Sequence, residues 1–293
     1  MTEVLFPRRK KRITRASIAI LVFLTMAALF FCIPLYVLFA TSLKSMDQIR
    51  EGDIFALPRG VTFAAWDYAW NKACSGMNCN GLKTGFVSSV FILFPSLAAS
   101  IALSMVTGYA LAIWNVRWAG PFLFLLFVCA FVPFQIIMYP LIIITRTAGL
   151  YGSLWGIVAV HTALAMPVLT LIFRNYYKDV PPDIIKAAII DSGNFWRIFI
   201  EIILPMSGNI LIVVSILQIT SIWNDYLVGV TFGGLNFMPM TVNLANMVTV
   251  STGTAAYNVD MAAALLTAIP PLVIYFLLGK FFVQGIAAGA VKG

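Results

Sequence analysis

Residues 16 to 43 run for 28 positions without a charged side chain, and that stretch decides which solvent the chain can fold in. About 20 apolar residues in a helix cross the hydrocarbon core of a bilayer. A cleaved signal segment carries an apolar region of only about 7 to 15 residues and then a small-residue cleavage pattern. The run from Ala16 to Leu43 is longer and shows no such pattern, so it reads as a retained first helix. Further uncharged runs cover 84–116, 118–145, 147–173, 202–224 and 261–279. The expected fold class is an all-α integral membrane protein. Its six transmembrane helices are expected at about 16–43, 84–112, 121–145, 154–173, 205–230 and 261–286. Residues 226 to 259 are also uncharged, but Gly233, Gly234 and Pro239 interrupt them, which favours a loop or surface helix; a seventh span is the alternative. Composition agrees with a lipid solvent. Charged residues make up 10% of the chain and hydrophobic ones 61%, against about 25% charged in a soluble domain.

Net charge is +8, yet the basic residues do not form a nucleic-acid footprint. Six of them, Arg8, Arg9, Lys10, Lys11, Arg12 and Arg15, precede the first helix and read as a cytoplasmic flank, because Lys and Arg favour the cytoplasmic side of a membrane. Residues 1–15 are thus expected to be a cytoplasmic basic arm and 16–293 the membrane domain. With an even number of spans both termini share a side. That arrangement puts 13 basic residues inside and 6 outside, five of the latter in the external loop 44–83 beside four acids. The expected localisation is the inner (plasma) membrane, with both termini in the cytoplasm.

Polar groups within the runs are mostly neutral. Only His161 falls clearly inside a helix, with Asp225 near an end. A proton-coupled carrier commonly places several ionisable groups in its bundle; a lone histidine is more simply an interhelical hydrogen-bonding residue. An integral membrane enzyme would need clustered acids, histidines or a reactive cysteine, which the runs lack.

The segment 174–204 is the longest cytoplasmic one. Pro181 and Pro182 suit a first helical turn and Asp183 its positive end. The helix continues through Ile184, Ile185, Lys186, Ala187, Ala188, Ile189 and Ile190. After Asp191, Ser192 and Gly193 supply a turn, with glycine suited to a left-handed helix end. Asn194 can cap a second helix that begins Phe195, Trp196, Arg197. The result is helix, turn, helix at the membrane surface, with apolar residues that must meet either lipid or a partner's groove.

KAAIIDSGN from Lys186, followed by ILP at Ile203 to Pro205, resembles the cytoplasmic EAA loop of binding-protein-dependent ABC transporter permeases. Two positions depart from that pattern: Lys186 stands at the usual glutamate, and Ser192 at the glycine, with Gly193 one place later. The resemblance continues in SLK at Ser42, VPFQ at Val132, RNYYKDVPPD at Arg174, WNDYL at Trp223 and GAVKG at the end. It is similar to the carbohydrate branch, in the shorter maltose-permease type. It looks closer still to permeases of glucose and mannose uptake, on ACSGMNCNGLKTGF from Ala73, IKAA at Ile185 and STGTAAYNVDMAAA from Ser251.

The resemblance implies the type I ABC importer permease fold and several partners: a second homologous permease, two ATP-binding cassette subunits, an external sugar-binding protein and the surrounding lipid. It implies coupling to the ATPase through 181–204, with Lys186, Ala187, Ala188, Asp191, Ser192, Gly193 and Phe195 as the contact set. Ala187 and Ala188 are expected to be small where the helix approaches a cleft wall. No cofactor is expected in this chain; ATP and Mg would be bound by the partner ATPases. The single Gly-Lys pair, Gly279 and Lys280, lacks the earlier glycine of a P-loop. A secondary sugar or small-solute carrier is the alternative, although such carriers usually show an internal repeat and none is evident.

Two further sets stand out. Cys74 and Cys79 lie in the external loop around Gly76 and Asn78, where a short disulfide or two free thiols are both compatible with the spacing; Cys32 and Cys129 fall in helices. For a neutral sugar, hydroxyls need replacement hydrogen bonds and ring faces need an aromatic platform. The fifth helix offers Gln218, Thr220, Ser221, Trp223, Asn224 and Tyr226. Thr220, Trp223 and Asn224 share a face there, and Gln135 with Tyr139 forms a similar pair on the third helix. Interhelical hydrogen bonding is the competing reading of these residues.

Overall fold

The computed structural model describes residues 14–76, 78–114, 116–191, 193–249 and 256–290. Among them the fold is helical, and the only extended pairing is an isolated bridge between Ser75 and Asn78. The helices in chain order are α1 (Arg15–Ser42), α2 (Met46–Arg50), α3 (Ala64–Asn71), α4 (Lys83–Ile113), α5 (Ala119–Phe131), α6 (Phe134–Thr147) and α7 (Leu154–Lys178). Then come α8 (Pro182–Asp191), α9 (Phe195–Ile198), a π-helical turn (Phe199–Ile203), α10 (Leu204–Met206), α11 (Gly208–Trp223), α12 (Leu227–Phe232), α13 (Met240–Thr249) and α14 (Tyr257–Ala290).

Helix α1 begins where the Thr14 side chain accepts the Ser17 N–H. It is apolar on every side, with Phe23, Phe30 and Phe31 exposed, and only Ala40, Thr41 and Ser42 near its end are buried. An outward-facing apolar surface of this kind requires lipid or a partner chain against it. The packed centre is the pair α4 and α7. Ser89, Ser96, Ser100 and Ser104 form a buried stripe on α4, and small side chains let membrane helices approach closely. Gly108 marks the tightest point: a Cβ there would lie 2.7 Å from Phe173 Cβ and 2.9 Å from the Arg174 nitrogen. Two apolar clusters flank this pair. One joins α3, the first half of α4, α12, α13 and α14 around Ile157, Trp223 and Phe232. The other joins the far ends of α4 and α7 to α8, α9 and the π-helical turn around Tyr109, Phe173 and Tyr177.

Among the described residues four helices are long and apolar enough to cross a membrane: α1, α4, α7 and the Tyr257–Gly279 part of α14. Two bent helix pairs are apolar enough to cross only when each is taken together, as a broken span or a re-entrant segment. The helix expected at 121–145 is broken between Phe131 and Phe134, where α5 and α6 meet at 109°. The cause is local: Val132 is extended at ψ 121°, as a residue before proline prefers, and Pro133 has no N–H to continue the ladder. The helix expected at 205–230 differs as well. Its main piece, α11, stops at Trp223, and the preceding segment Phe195–Met206 joins it at 78°. Residues 227–232 and 240–249 form short helices, each well below the length of a span, so the seventh-span alternative is not realised in them.

Candidate functional site

The segment after α7 is built as an anchored arm. Pro182 opens α8, and Gly193 closes the turn after it with φ +58°, a conformation that costs an ordinary L-residue about 1–2 kcal/mol. Asn194 then caps α9: its Oδ1 accepts the backbone N–H of Trp196 at 2.9 Å and of Arg197 at 3.3 Å. Ser192 lies outside the described residues.

What holds the arm is aromatic. The half-buried Phe195 ring sits 4.7 Å from Tyr109 and 5.4 Å from Trp114. Phe199 lies 5.4 Å from Tyr109, and Phe173 stacks on Tyr177. Tyr109 is fully buried, and its hydroxyl donates to the Phe195 carbonyl at 3.2 Å. Tyr176 donates to the Met206 carbonyl at 2.7 Å. The single hydroxyl proton of Ser207 goes to the Ile203 carbonyl at 2.6 Å, so Tyr177 is the donor in its 3.1 Å contact with Ser207. The two faces of α8 consequently differ. Ile185 and Ala188 turn inward against the aromatic cluster, whereas Lys186, Ala187, Asp191, Ile189 and above all Ile190, 84% exposed, turn outward. The two alanines, read together from sequence as cleft-facing, thus separate: Ala188 packs within its own chain and Ala187 faces out. Lys186 pairs with Asp183 at 3.5 Å with both side chains in solvent, a contact of small energetic weight.

The polar side chains of the bundle converge at a different place from the one read in the sequence. Gln135 and Tyr139 on α6 are exposed, as are Thr220 and Asn224 at the end of α11. Trp223 is 3% exposed; its indole N–H donates to the Thr267 carbonyl at 3.0 Å and its ring packs 5.8 Å from Phe86. It is a core residue and offers no open platform. A cavity of about 100 Å³ instead lies between α7, α11 and α12, lined by His161, Gln218, Ser221 and Asp225 with Leu164, Ala165 and Val228. His161 and Gln218 are more than nine-tenths buried. Part of the signal for this set was present: Gln218 and Ser221 are i, i+3 neighbours on one face of α11, away from that of Thr220 and Trp223, whereas Asp225 follows the end of the helix. Among the described residues no group of three potential metal ligands exists.

At the other end, Cys74 and Cys79 are joined by a disulfide, while Cys32 and Cys129 are free and exposed on α1 and α5. The Lys44 ammonium reaches the Asp53 carbonyl at 3.1 Å, and the Asn258 amide donates to the Lys44 carbonyl at 3.1 Å. These contacts tie the loop 44–83 to the start of α14.

The fold is thus an apolar helical bundle with a tightly closed helix pair, two bent helix pairs and a helix–turn–helix mounted on aromatic rings. Residues 100–288 match the family described as binding-protein-dependent transport system inner membrane component. The chain belongs to that family and is an inner-membrane permease component of an ABC transporter. It is 43% identical over 164 residues to the probable ABC transporter permease protein PH1216 of Pyrococcus horikoshii, a match spanning 56% of this chain and 59% of that one. It is 28% identical over 284 residues to the xylose/arabinose import permease protein XacI of Haloferax volcanii, covering 89% of each. The fold matches a crystal structure of a bacterial ABC transporter involved in the import of the acidic polysaccharide alginate, with a TM-score of 0.76 at 20% identity over 94% of this chain and 99% of that one.

Proposed function

We propose that this chain is one of two permease subunits in an ATP-driven importer of a monosaccharide of the glucose or mannose type. It forms half of the translocation path and engages a cytoplasmic ATPase through residues 181–204. A second homologous permease supplies the other half, two ATP-binding cassette subunits bind ATP and Mg, and an external sugar-binding protein delivers substrate. Both termini and the α8 arm face the cytoplasm, and the disulfide hairpin faces outside. Support for a sugar comes from the carbohydrate-branch motifs and from relatives that import sugars, such as XacI.

The observation that carries the coupling reading is the mounting of α8. An apolar ridge of Ile189 and Ile190 is held out from a buried aromatic anchor, and such a ridge suits a partner's groove. His161, Gln218 and Ser221 offer hydrogen-bond partners for hydroxyls, with the Asp225 carboxylate at the cavity's edge. At about 100 Å³ the cavity is well below the roughly 300 Å³ at the low end of small-molecule pockets, so this conformation does not enclose a whole sugar. Gln135, Tyr139, Thr220 and Asn224 remain as outer contacts along the same path.

The test is uptake by vesicles carrying the complete transporter. Labelled glucose and mannose should enter only with internal ATP and the external binding protein. Uptake driven by an ion gradient without ATP would overturn the reading in favour of a secondary carrier.

A further inference from the structure

A continuous series of contacts runs from the disulfide hairpin to the mouth of the cavity, and it passes through α13. In the hairpin, Ser75 and Asn78 exchange backbone hydrogen bonds of 2.8 and 3.3 Å inside the Cys74–Cys79 bridge. The Ser75 hydroxyl donates to Asn243 Oδ1 at 3.1 Å, 168 residues further along the chain. Asn243 is buried, and its amide lies so close to Gly85 that a Cβ there would collide with it. The hairpin, the first turn of α4 and α13 are therefore fixed to one another. Met240 strengthens the same junction, its N–H donating to Ser89 Oγ at 2.8 Å.

Two residues before Asn243, Thr241 donates its hydroxyl to the Asp225 carbonyl at 2.6 Å. Asp225 lies between α11 and α12, where its backbone has left the helix and its own N–H makes only a 3.4 Å bond to Ile222. Its carboxylate accepts the Gly229 N–H at 3.0 Å and borders the cavity. Gly229 abuts Pro239, and any side chain there would collide with the proline ring. Gly229 is thereby held against Pro239, and Asp225 is held by Thr241 at its carbonyl and by Gly229 at its carboxylate. Packed elements of this kind shift as units and do not deform gradually.

We infer that Thr241 is a positioning residue: it holds Asp225 at the mouth of the His161–Gln218–Ser221 cavity and, through Asn243 and Ser75, ties that position to the disulfide hairpin. A displacement of α13 at the hairpin end accordingly opens or closes the cavity. The inference deepens the path reading above, since it treats the cavity as part of that path, but its test does not require transport.

The test is the rate at which N-ethylmaleimide modifies Gln218→Cys in native membranes containing the full chain, with Cys32 and Cys129 replaced by alanine. Adding Thr241→Val should raise that rate about tenfold, the scale of one lost hydrogen bond. Thr241→Ser, which keeps the hydroxyl, should restore the parent rate. Cys74→Ser with Cys79→Ser should raise it in the same direction by a smaller factor. An unchanged rate in Thr241→Val, or an equally raised rate in Thr241→Ser, would overturn the assignment. Val214→Cys, fully buried on the same helix, should stay unreactive throughout. If Thr241→Val makes it react, that variant has lost its fold and the hairpin variant decides, an unchanged rate there overturning the link. Absence of sugar uptake by the unmodified chain would sink the transport reading and leave the labelling result standing.

Discussion

At one end of the α4–α7 pair the chain is held by six aromatic rings, those of Tyr109, Trp114, Phe173, Tyr177, Phe195 and Phe199. At the other end an apolar cluster around Ile157, Trp223 and Phe232 is supplemented by a disulfide, by the hydroxyls of Ser75, Ser89 and Thr241, and by the amides of Asn243 and Asn258. Ring packing is broad and tolerant of direction, so an arm mounted on it moves as one body. Hydrogen bonds are directional, contribute about 1 kcal/mol each on balance, and break singly. The first end has the properties of a handle and the second those of a latch.

The largest effect should come from removing the centre of the aromatic mounting. Tyr109→Ala should lower the stability of the purified protein by about 3–5 kcal/mol, whereas Tyr109→Phe, which deletes only the hydrogen bond to Phe195, should cost about 1 kcal/mol. Thermal unfolding in detergent reads both, and equal melting of the two variants would show that the rings are not the anchor. The hairpin end should respond less. Breaking the bridge with Cys74→Ser and Cys79→Ser closes no loop in the unfolded chain, and the chain-entropy account gives a loss of about 2 kcal/mol. That pair should leave basal ATP hydrolysis unaltered if the two ends are mechanically distinct.

The turn at Gly193 sharpens the comparison, because its cost is conformational and not a matter of packing. A Cβ at Gly193 would meet only the Ile189 carbonyl, at an ordinary 3.6 Å, so the penalty comes from φ +58°. Gly193→Val should destabilise by about 1–2 kcal/mol and abolish sugar-stimulated ATP hydrolysis while the protein stays in the membrane. Gly193→Asn, a residue that visits the left-handed region, should retain most of that activity. Lys186→Glu should have the smallest effect on stability, under about 0.5 kcal/mol as for other surface changes. It should weaken assembly with the ATPase if an acidic group faces Lys186 there, and unaltered assembly would leave the lysine merely solvated.

Some of this was written plainly in the chain and some was not. Uncharged length locates the apolar segments because lipid imposes it directly, and Gly193 and Asn194 announce a turn and a cap through chemistry confined to a few neighbouring residues. The break at Val132–Pro133 was equally local, but hydropathy alone does not register it, since both residues are apolar. Which face of α8 or α11 points inward is a tertiary matter. Ala187 and Ala188 look alike in sequence, and only the aromatic cluster decides that Ala188 turns in. Trp223 likewise reads as a sugar platform until Thr267 and Phe86 are seen to enclose it. The six-ring mounting itself is assembled from residues 109 to 199 and carries no short-range pattern.

The central claim, that the outward ridge of α8 docks into the ATPase, is tested most directly by disulfide cross-linking between single cysteines in this helix and cysteines lining the groove of the ATPase subunit. Ile190→Cys, replacing the most exposed residue of the ridge, should cross-link efficiently under mild oxidation. Ala188→Cys, two residues earlier and turned into the chain's own core, should not. Cross-linking at Ala188 without cross-linking at Ile190 would mean that the opposite face of the helix meets the ATPase, and would contradict the account.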